Sequence, residues 1–209
     1  GEIIWPDKLM MLFSQDIVSR NPGADIIFDV KCSRHLNNLI SEYGGRPIMW
    51  KTGHSHIKAK MKESGALLGG EFSGHMFFGE RWYGFDDGMY AAGRLAEILS
   101  TSGETLEEVL ARYPETVSTA EILIPIAESR KFLFMQELAG VADFAPGKVN
   151  TLDGIRVDYT EGWGLLRASN TTAALTARFE ASSEQELEVI KQAFREQVAR
   201  VDADLEFSI

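Results

Sequence analysis

The sequence predicts an α/β layered domain with a mixed sheet, followed by a small α+β domain with an antiparallel sheet. The length of 209 residues lies between that of one large domain and that of two small ones. In the first half, short apolar runs alternate with helical patterns, which is typical of a layered α/β fold. In the second half, several strand patterns are separated by turns, which favours an antiparallel sheet. We place the domains at residues 1–115 and 116–209, with a linker around Pro114.

The first domain is predicted to open with a helix, because Leu9, Leu12 and Phe13 fall on one helical face after Pro6. We expect the next elements, in chain order, to be a strand over 25–30, a helix from 33 to 44, a strand over 46–50 and a helix over 54–64. Apolar residues at 66–69 and 76–78 predict two buried strands on either side of a polar loop.

A helix over 87–99 is expected to follow, then a break at 101–103 and a short helix through Arg112. Asp86 and Asp87 are expected to cap the first of these helices, since the side chains of adjacent residues rarely converge on a metal ion. For the second domain we expect, in order, a strand over 121–126, a helix over 129–140, strands within 148–159, 162–168 and 173–181, and a helix over 184–201.

Composition excludes several classes of protein. The net charge of −10 and a pI near 4.9 argue against a protein that chiefly binds nucleic acid or an anionic membrane. We find no apolar run of membrane-spanning length and no signal peptide, so a cytoplasmic protein is expected. The single cysteine, Cys32, cannot form an internal disulfide and is interpreted as a small buried residue rather than a nucleophile. The first residues indicate a chain that begins midway through a longer protein.

The loop over residues 70–75 concentrates polar chemistry between two apolar strands. Glu71, Ser73 and His75 supply a carboxylate, a hydroxyl and an imidazole, and flanking glycines let the backbone approach a ligand. This combination suits a polyhydroxylated substrate. The alternative is a satisfied loop in which the glutamate caps backbone groups.

Two strand-to-helix junctions, at residues 29–34 and 51–55, carry cations and hydroxyls near helix N-termini. Anions are favoured there, so either junction could bind a phosphate. Ordinary capping with solvated lysine and arginine is the alternative for each.

The turn over residues 167–172 is the second polar constellation. Its arginine, Arg167, offers a planar fork suited to bidentate capture of a phosphate, and Ser169, Asn170 and Thr171 add donors. The alternative is a polar hairpin turn with an incidental arginine. Together the two loops predict a phosphosugar held across an interdomain cleft.

These motifs, in this order along the chain, resemble those of the α-D-phosphohexomutases, and most closely the bacterial phosphomannomutase/phosphoglucomutase group. The resemblance implies that the chain is similar to the third and fourth domains of a four-domain isomerase. The phosphorylated serine and the aspartate loop that binds Mg²⁺ belong to the first two domains, so no metal is expected on this chain. One departure is Ala173, where the family usually has proline.

The resemblance also implies the reaction and the roles of the residues. A phosphoserine donates its phosphoryl group to a hexose 1- or 6-phosphate, and the resulting 1,6-bisphosphate reorients before it returns the other phosphoryl group. Glu71 and Ser73 would contact the sugar's 3- and 4-hydroxyls. The phosphate that is not being transferred would be held by four residues: Arg167, Ser169, Asn170 and Thr171.

Catalytic roles are expected for His75, His54 and Lys31. The histidines are candidates for proton transfer because histidine titrates near neutral pH, and His75 is preferred. Lys31 would contact the substrate or offset the charge of the transferring phosphoryl group. Two other functions stay open: a stand-alone phosphosugar-binding module without catalysis, and an interaction domain that contacts another protein.

Overall fold

The computed structural model describes residues 3–209, so the first two residues of the predicted first domain lie outside the described part. The chain divides into two compact units, the first ending at Pro114 and the second beginning at Glu115. Within the described residues, no helix is both long enough and apolar enough to cross a membrane.

The first domain contains a four-stranded mixed sheet flanked by helices. Its elements are α1 (Pro6–Arg20), β1 (Asp25–Asp29), α2 (His35–Glu42), β2 (Arg46–Trp50), α3 (His54–Ser64), β3 (Leu68–Gly70), β4 (Met76–Phe78), α4 (Gly88–Ser102) and α5 (Leu106–Leu110). The strand order is β2-β1-β3-β4, with β1 parallel to β2 and β3, and β4 antiparallel to β3. The predicted layered α/β class with a mixed sheet is confirmed.

Strand β1 lies at the centre of this sheet and is buried on both faces. Ile26, Ile27 and Phe28 are each 0% exposed, which explains why the strand has a continuous apolar run instead of an alternating one. Its parallel register pairs Asp29 with Trp50 and Phe28 with Gly70. The segments that follow β1, β2 and β3 therefore leave the sheet at one edge, where polar side chains from all three can meet.

The start of α4 departs from the prediction. Asp87 is its N-cap, because the carboxylate accepts the backbone N–H of Tyr90 at 2.9 Å. Asp86 makes no such bond, and its side chain turns to His75 instead, so the expectation that both aspartates cap the helix was wrong for Asp86. The helix also runs through the predicted break to Ser102 and ends at Gly103 in a left-handed conformation.

The second domain is an antiparallel sheet with two helices. Its elements are β5 (Val117–Ser118), β6 (Ile122–Pro125), α6 (Lys131–Val141), β7 (Lys148–Asn150), β8 (Ile155–Asp158), β9 (Gly162–Ala168), β10 (Ala174–Ala181) and α7 (Glu184–Ala199). The strand order is β5-β10-β9-β8-β7, and β6 also pairs with β10. The predicted α+β class is confirmed, although the two-residue strand β5 was not predicted.

Side chains of α6 and α7 form the core of the second domain against one face of its sheet. Phe134 and Phe194 are fully buried with Leu166 and Phe179. The opposite face of β9 carries Arg167, so the alternation of the strand puts apolar residues into the core and this arginine on the other side.

Candidate functional site

The loop that joins β3 to β4 is a tight turn. The Glu71 N–H donates to the carbonyl of His75 at 2.9 Å, and the Gly74 N–H donates to the carbonyl of Glu71 at 2.9 Å. Gly74 has a φ of 97°, which a residue with a side chain rarely adopts. The turn thus holds Glu71 and His75 side by side, with Ser73 exposed at its tip.

Glu71 is a buried carboxylate with one oxygen unused. Glu71 is only 2% exposed, and its Oε2 accepts a hydrogen bond from the N–H of Gly53 at 3.1 Å. Oε1 is also buried and has no hydrogen-bond partner among the described residues. Burial, and then repulsion from Asp29, raise the pKa of Glu71, while the Gly53 bond and the charges of His75 and Lys31 act in the opposite direction. A hydroxyl donor would satisfy the unused oxygen.

Asp29 organises this edge of the sheet. The residue is 0% exposed, and its Oδ1 accepts the N–H of Phe72 at 3.2 Å and the thiol of Cys32 at 3.1 Å. Its Oδ2 accepts the hydroxyl of Thr52 at 3.0 Å. Three loops that are distant in sequence are therefore tied to one carboxylate. Asp29 lies in one of the predicted junctions, but no role was predicted for it, although a charged residue at the end of a buried apolar strand indicates a buried, hydrogen-bonded group.

The predicted catalytic side chains converge around this loop. The ring centres of His54 and His75 lie 6.3 Å apart, and His54 is the first residue of α3. Lys31 is buried and close enough to act on the pKa of Glu71. His75 Nδ1 lies 2.7 Å from Oδ2 of Asp86. The structure thus brings Lys31 and His75 close to Glu71, with His54 beside His75.

Arg167 lies on β9 rather than in the turn itself. It is 4% exposed, and its Nη2 donates to Oδ1 of Asp153 at 3.3 Å, while Nε lies 3.2 Å from Oδ2. Asp153 belongs to the turn between β7 and β8. The predicted phosphate-binding arginine is thus held in place by a carboxylate, which orients its guanidinium before any ligand arrives.

Ser169 orders the turn between β9 and β10. Its Oγ accepts the backbone N–H groups of Thr171 and Thr172, at 3.3 and 3.2 Å, and the Thr172 hydroxyl at 2.8 Å. Asn170 and Thr171 are exposed at the tip. The side chain of Ser169 therefore fixes the shape of the turn.

Lys131 is a second buried cation at this turn, and sequence analysis missed it. The residue is 2% exposed, its Nζ donates to the carbonyl of Thr172 at 3.0 Å, and it pairs with Glu128 at 2.7 Å. The sequence places it near the start of the helix predicted over 129–140, so no local signal distinguishes it. Lys131 and Arg167 together place two buried positive charges next to this turn.

Among residues 3–209, no three histidine, cysteine, aspartate or glutamate side chains are arranged to hold a metal ion.

Family models match both domains. The description "Phosphoglucomutase/phosphomannomutase, alpha/beta/alpha domain III" covers residues 5–117, and "Phosphoglucomutase/phosphomannomutase, C-terminal domain" covers residues 121–197. The chain belongs to the phosphoglucomutase/phosphomannomutase family. Family membership confirms the resemblance found in the motifs, and the matched parts are domain III and the C-terminal domain.

Individual family members are similar along almost the whole chain. The phosphomannomutase/phosphoglucomutase of Pseudomonas aeruginosa is 60% identical over 205 residues, which are 98% of this chain and 44% of that protein. A phosphoglucomutase of Neisseria gonorrhoeae is 51% identical over 197 residues, 93% of this chain and 43% of that protein. A crystal structure of a family protein from Burkholderia thailandensis has a TM-score of 0.91 at 45% identity, covering 99% of this chain and 44% of that one. This chain thus spans less than half the length of these family members.

Proposed function

We propose that this chain is the substrate-recognition part of a phosphohexomutase, an isomerase that interconverts hexose 1-phosphates and hexose 6-phosphates. The observation that carries the proposal is the buried Oε1 of Glu71, which has no partner among the described residues and lies near His75, in a chain of this family. A buried acceptor without a donor costs free energy in the free protein. A ligand hydroxyl removes that cost.

The first domain recognises the sugar. Oε1 of Glu71 accepts a hydrogen bond from a sugar hydroxyl, and Ser73 adds an exposed hydroxyl on the same turn. The resemblance assigns these two residues to the 3- and 4-hydroxyls of the hexose. Those hydroxyls are central in the ring, so similar contacts are available when the sugar binds with either end toward the reacting centre.

The second domain holds the phosphate that is not being transferred. Arg167 supplies the planar cation, and Ser169, Asn170 and Thr171 supply hydroxyl, amide and backbone donors. The partner carboxylate Asp153 orients the guanidinium, which lowers the entropy lost when a phosphate binds.

In the reaction, a phosphoserine transfers its phosphoryl group to a free sugar hydroxyl. The oxygen–phosphorus bond to serine breaks as the bond to the sugar oxygen forms. The proton of the sugar hydroxyl goes to a base, and the leaving serine oxygen takes up a proton, so that a serine hydroxyl is regenerated. His75 is the base in this proposal, with His54 beside it, and Lys31 offsets the negative charge that develops. The second transfer reverses these steps at the other end of the sugar. The serine and the Mg²⁺ that the family uses come from the part of its members outside the matched region.

Calorimetric titration with mannose 6-phosphate and glucose 6-phosphate tests the proposal. We expect saturable binding by this chain and none of comparable strength for unphosphorylated mannose. Arg167→Ala should raise Kd about tenfold to a hundredfold, the loss of a charged hydrogen bond of about 1.5–3 kcal/mol. Arg200→Ala, which removes an exposed arginine of the same domain, should leave Kd unchanged. Absence of binding, or equal effects of the two substitutions, would contradict the proposal.

A further inference from the structure

We propose that Asp86 is a positioning residue for His75. Its carboxylate holds the imidazole in the tautomer that carries the proton on Nδ1, which leaves Nε2 with a lone pair to accept a proton. The use of Nε2 rests on the proposed function. The tautomer itself is a property of this chain and can be measured without any sugar or enzymatic reaction.

The geometry fixes the direction of the hydrogen bond. His75 Nδ1 and Asp86 Oδ2 lie 2.7 Å apart, the separation of a short charge-assisted bond. An ionised carboxylate has acceptors only, so Nδ1 must be the donor. A neutral imidazole carries one proton on its two nitrogens. With that proton on Nδ1, Nε2 is left as the acceptor.

Other polar groups around His75 do not fix its proton. Glu71 directs Oε2 to the N–H of Gly53, and the ring centre of His54 lies 6.3 Å away. Lys31 is buried nearby, but an ammonium group cannot accept a proton from Nδ1. Asp86 is therefore the group that decides the tautomer.

The backbone places the Asp86 carboxylate for this task. Asp86 pairs with Phe77 in an isolated antiparallel bridge, which holds it beside the strand that follows His75. The neighbouring Asp87 takes over the capping of α4 and also accepts the indole N–H of Trp82 at 3.2 Å. Asp86 therefore does not cap α4, and its carboxylate can bond to His75.

The loop that carries Asp86 is fixed by a buried arginine. Arg94 is 3% exposed and donates to Glu80 Oε2 at 2.7 Å and to Asp16 Oδ2 at 2.8 Å, which connects the loop to α1 and α4. The Tyr90 hydroxyl donates to the carbonyl of Arg81 at 3.2 Å within the same loop. A carboxylate on an anchored loop loses little conformational freedom when it binds a histidine, so the pair is preorganised.

A neutral histidine with Nδ1 bonded to an aspartate is the arrangement that a general base needs. In serine hydrolases the aspartate sets the tautomer and stabilises the imidazolium that forms, and an asparagine in its place leaves the wrong tautomer. The same logic applies here, with a sugar hydroxyl as the proton donor to Nε2. Asp86 acts through His75 and does not itself contact the reacting atoms.

Nitrogen-15 NMR of the histidine rings tests the inference directly. Spectra of the full chain are recorded at about pH 8.5, well above the ordinary histidine pKa of about 6.5, so that the rings are neutral. We expect His75 to carry its proton mainly on Nδ1 in the unmodified chain. Asp86→Asn should shift the population toward the Nε2–H form, because the asparagine amide can donate to Nδ1, and Asp86→Ala should remove the preference for Nδ1.

Asp87→Asn is the matched control. It makes the same chemical change one residue away, and asparagine is as good an N-cap as aspartate, so α4 should persist and the His75 tautomer should not change. A His75 that carries its proton on Nε2 in the unmodified chain, or a tautomer that Asp86→Asn and Asp86→Ala leave unchanged, would overturn the inference.

A titration with mannose 6-phosphate separates this inference from the proposed function. Asp86→Asn should change Kd by less than about twofold, because Asp86 is not placed on the sugar or the phosphate. Absence of mannose 6-phosphate binding by the unmodified chain would contradict the proposed function, but it would not affect the conclusion about the His75 tautomer. A large loss of affinity confined to Asp86→Asn would contradict the positioning role and indicate direct contact with the ligand.

Discussion

Replacing Glu71 by glutamine tests whether the buried carboxylate of the proposed sugar site lowers the free energy of unfolding. The carboxylate is buried, with one oxygen bonded to Gly53 and the other without a partner. Glutamine has nearly the same shape, and its amide oxygen can accept the same N–H. The substitution therefore removes a buried charge while it keeps the volume and the backbone hydrogen bond.

Two opposing effects set the expected change in stability. Replacing the buried charge by a neutral amide relieves about 1–3 kcal/mol, although the amide nitrogen then takes the place of the unpartnered oxygen, and it also removes the repulsion from Asp29. The bond from Gly53 loses its charge assistance, which costs about 1 kcal/mol. We expect a net gain of about 1 kcal/mol in the free energy of unfolding, or about 4 °C in Tm for a domain of this size. Binding should weaken about tenfold, because a ligand hydroxyl then meets a neutral group.

The pH dependence follows from the raised pKa of Glu71. Below the ordinary pKa of 4.5, the carboxyl is protonated in both the folded and the unfolded chain, and the charge costs nothing. As the pH rises above 4.5, the unfolded chain ionises first, so the folded wild-type protein loses stability until the pH has passed the raised pKa. The advantage of Glu71→Gln should therefore be small in acid and largest at neutral pH.

Scanning calorimetry at about pH 4 and about pH 7, with titration of mannose 6-phosphate at the higher pH, measures both effects. Glu42→Gln is the control, since Glu42 is an exposed glutamate at the end of α2. A Glu71→Gln protein that is less stable at neutral pH, or equally stabilised at both, would refute the assignment of a buried charge penalty. Unchanged affinity would refute the role in sugar recognition.

Two further substitutions test the supports of the site. Lys131→Met should loosen the turn over residues 169–172 and raise Kd for mannose 6-phosphate about threefold to tenfold, since a charged bond to the Thr172 carbonyl is lost. Lys191→Met, which removes a half-buried lysine that pairs with Glu188 on α7, should leave Kd unchanged. Titration calorimetry decides, and equal values for both would contradict the role of Lys131. Gly70→Ala should destabilise the first domain by about 1–3 kcal/mol, because its methyl group would overlap the Met10 sulfur. Gly93→Ala, where the added group meets open space within α4, should be neutral or stabilising in the same thermal unfolding experiment.

Much of the fold is predictable because its signals are local. The predicted bounds of α3 and β9 agree with the structure to the residue, since each is an uninterrupted pattern limited by glycine or a turn. The pairing of β4 against β3, which makes the sheet mixed, follows from the short loop between them. β5 escaped prediction because two residues carry no pattern, and its pairing with β10 depends on residues more than sixty positions away.

The residues that hold the site in place were not predictable in the same way, because they act through contacts between residues that are distant in the sequence. Asp29 and Phe72 are separated by 43 positions, and Lys131 and Thr172 by 41. In the sequence, Asp29 ends a buried apolar strand, which marks the residue but does not identify its partners. Lys131 lies near the start of a predicted helix, an ordinary position for a polar residue. The turns themselves were predictable because Glu71 and Arg167 lie within dense runs of polar residues. What holds these two side chains in place was not.

The three carboxylates around the first loop differ in how completely the protein satisfies them, and that difference separates their tasks. Asp29 accepts three hydrogen bonds and has little capacity left for a ligand, so it acts as a structural anchor. Asp86 directs one oxygen to His75 and remains partly exposed, which suits a group that must respond when that histidine gains a proton. Glu71 is as buried as Asp29 but accepts a single backbone bond. Of these three described carboxylates, Glu71 alone keeps a buried oxygen without a partner, and this is why we propose that Glu71 recognises a sugar hydroxyl.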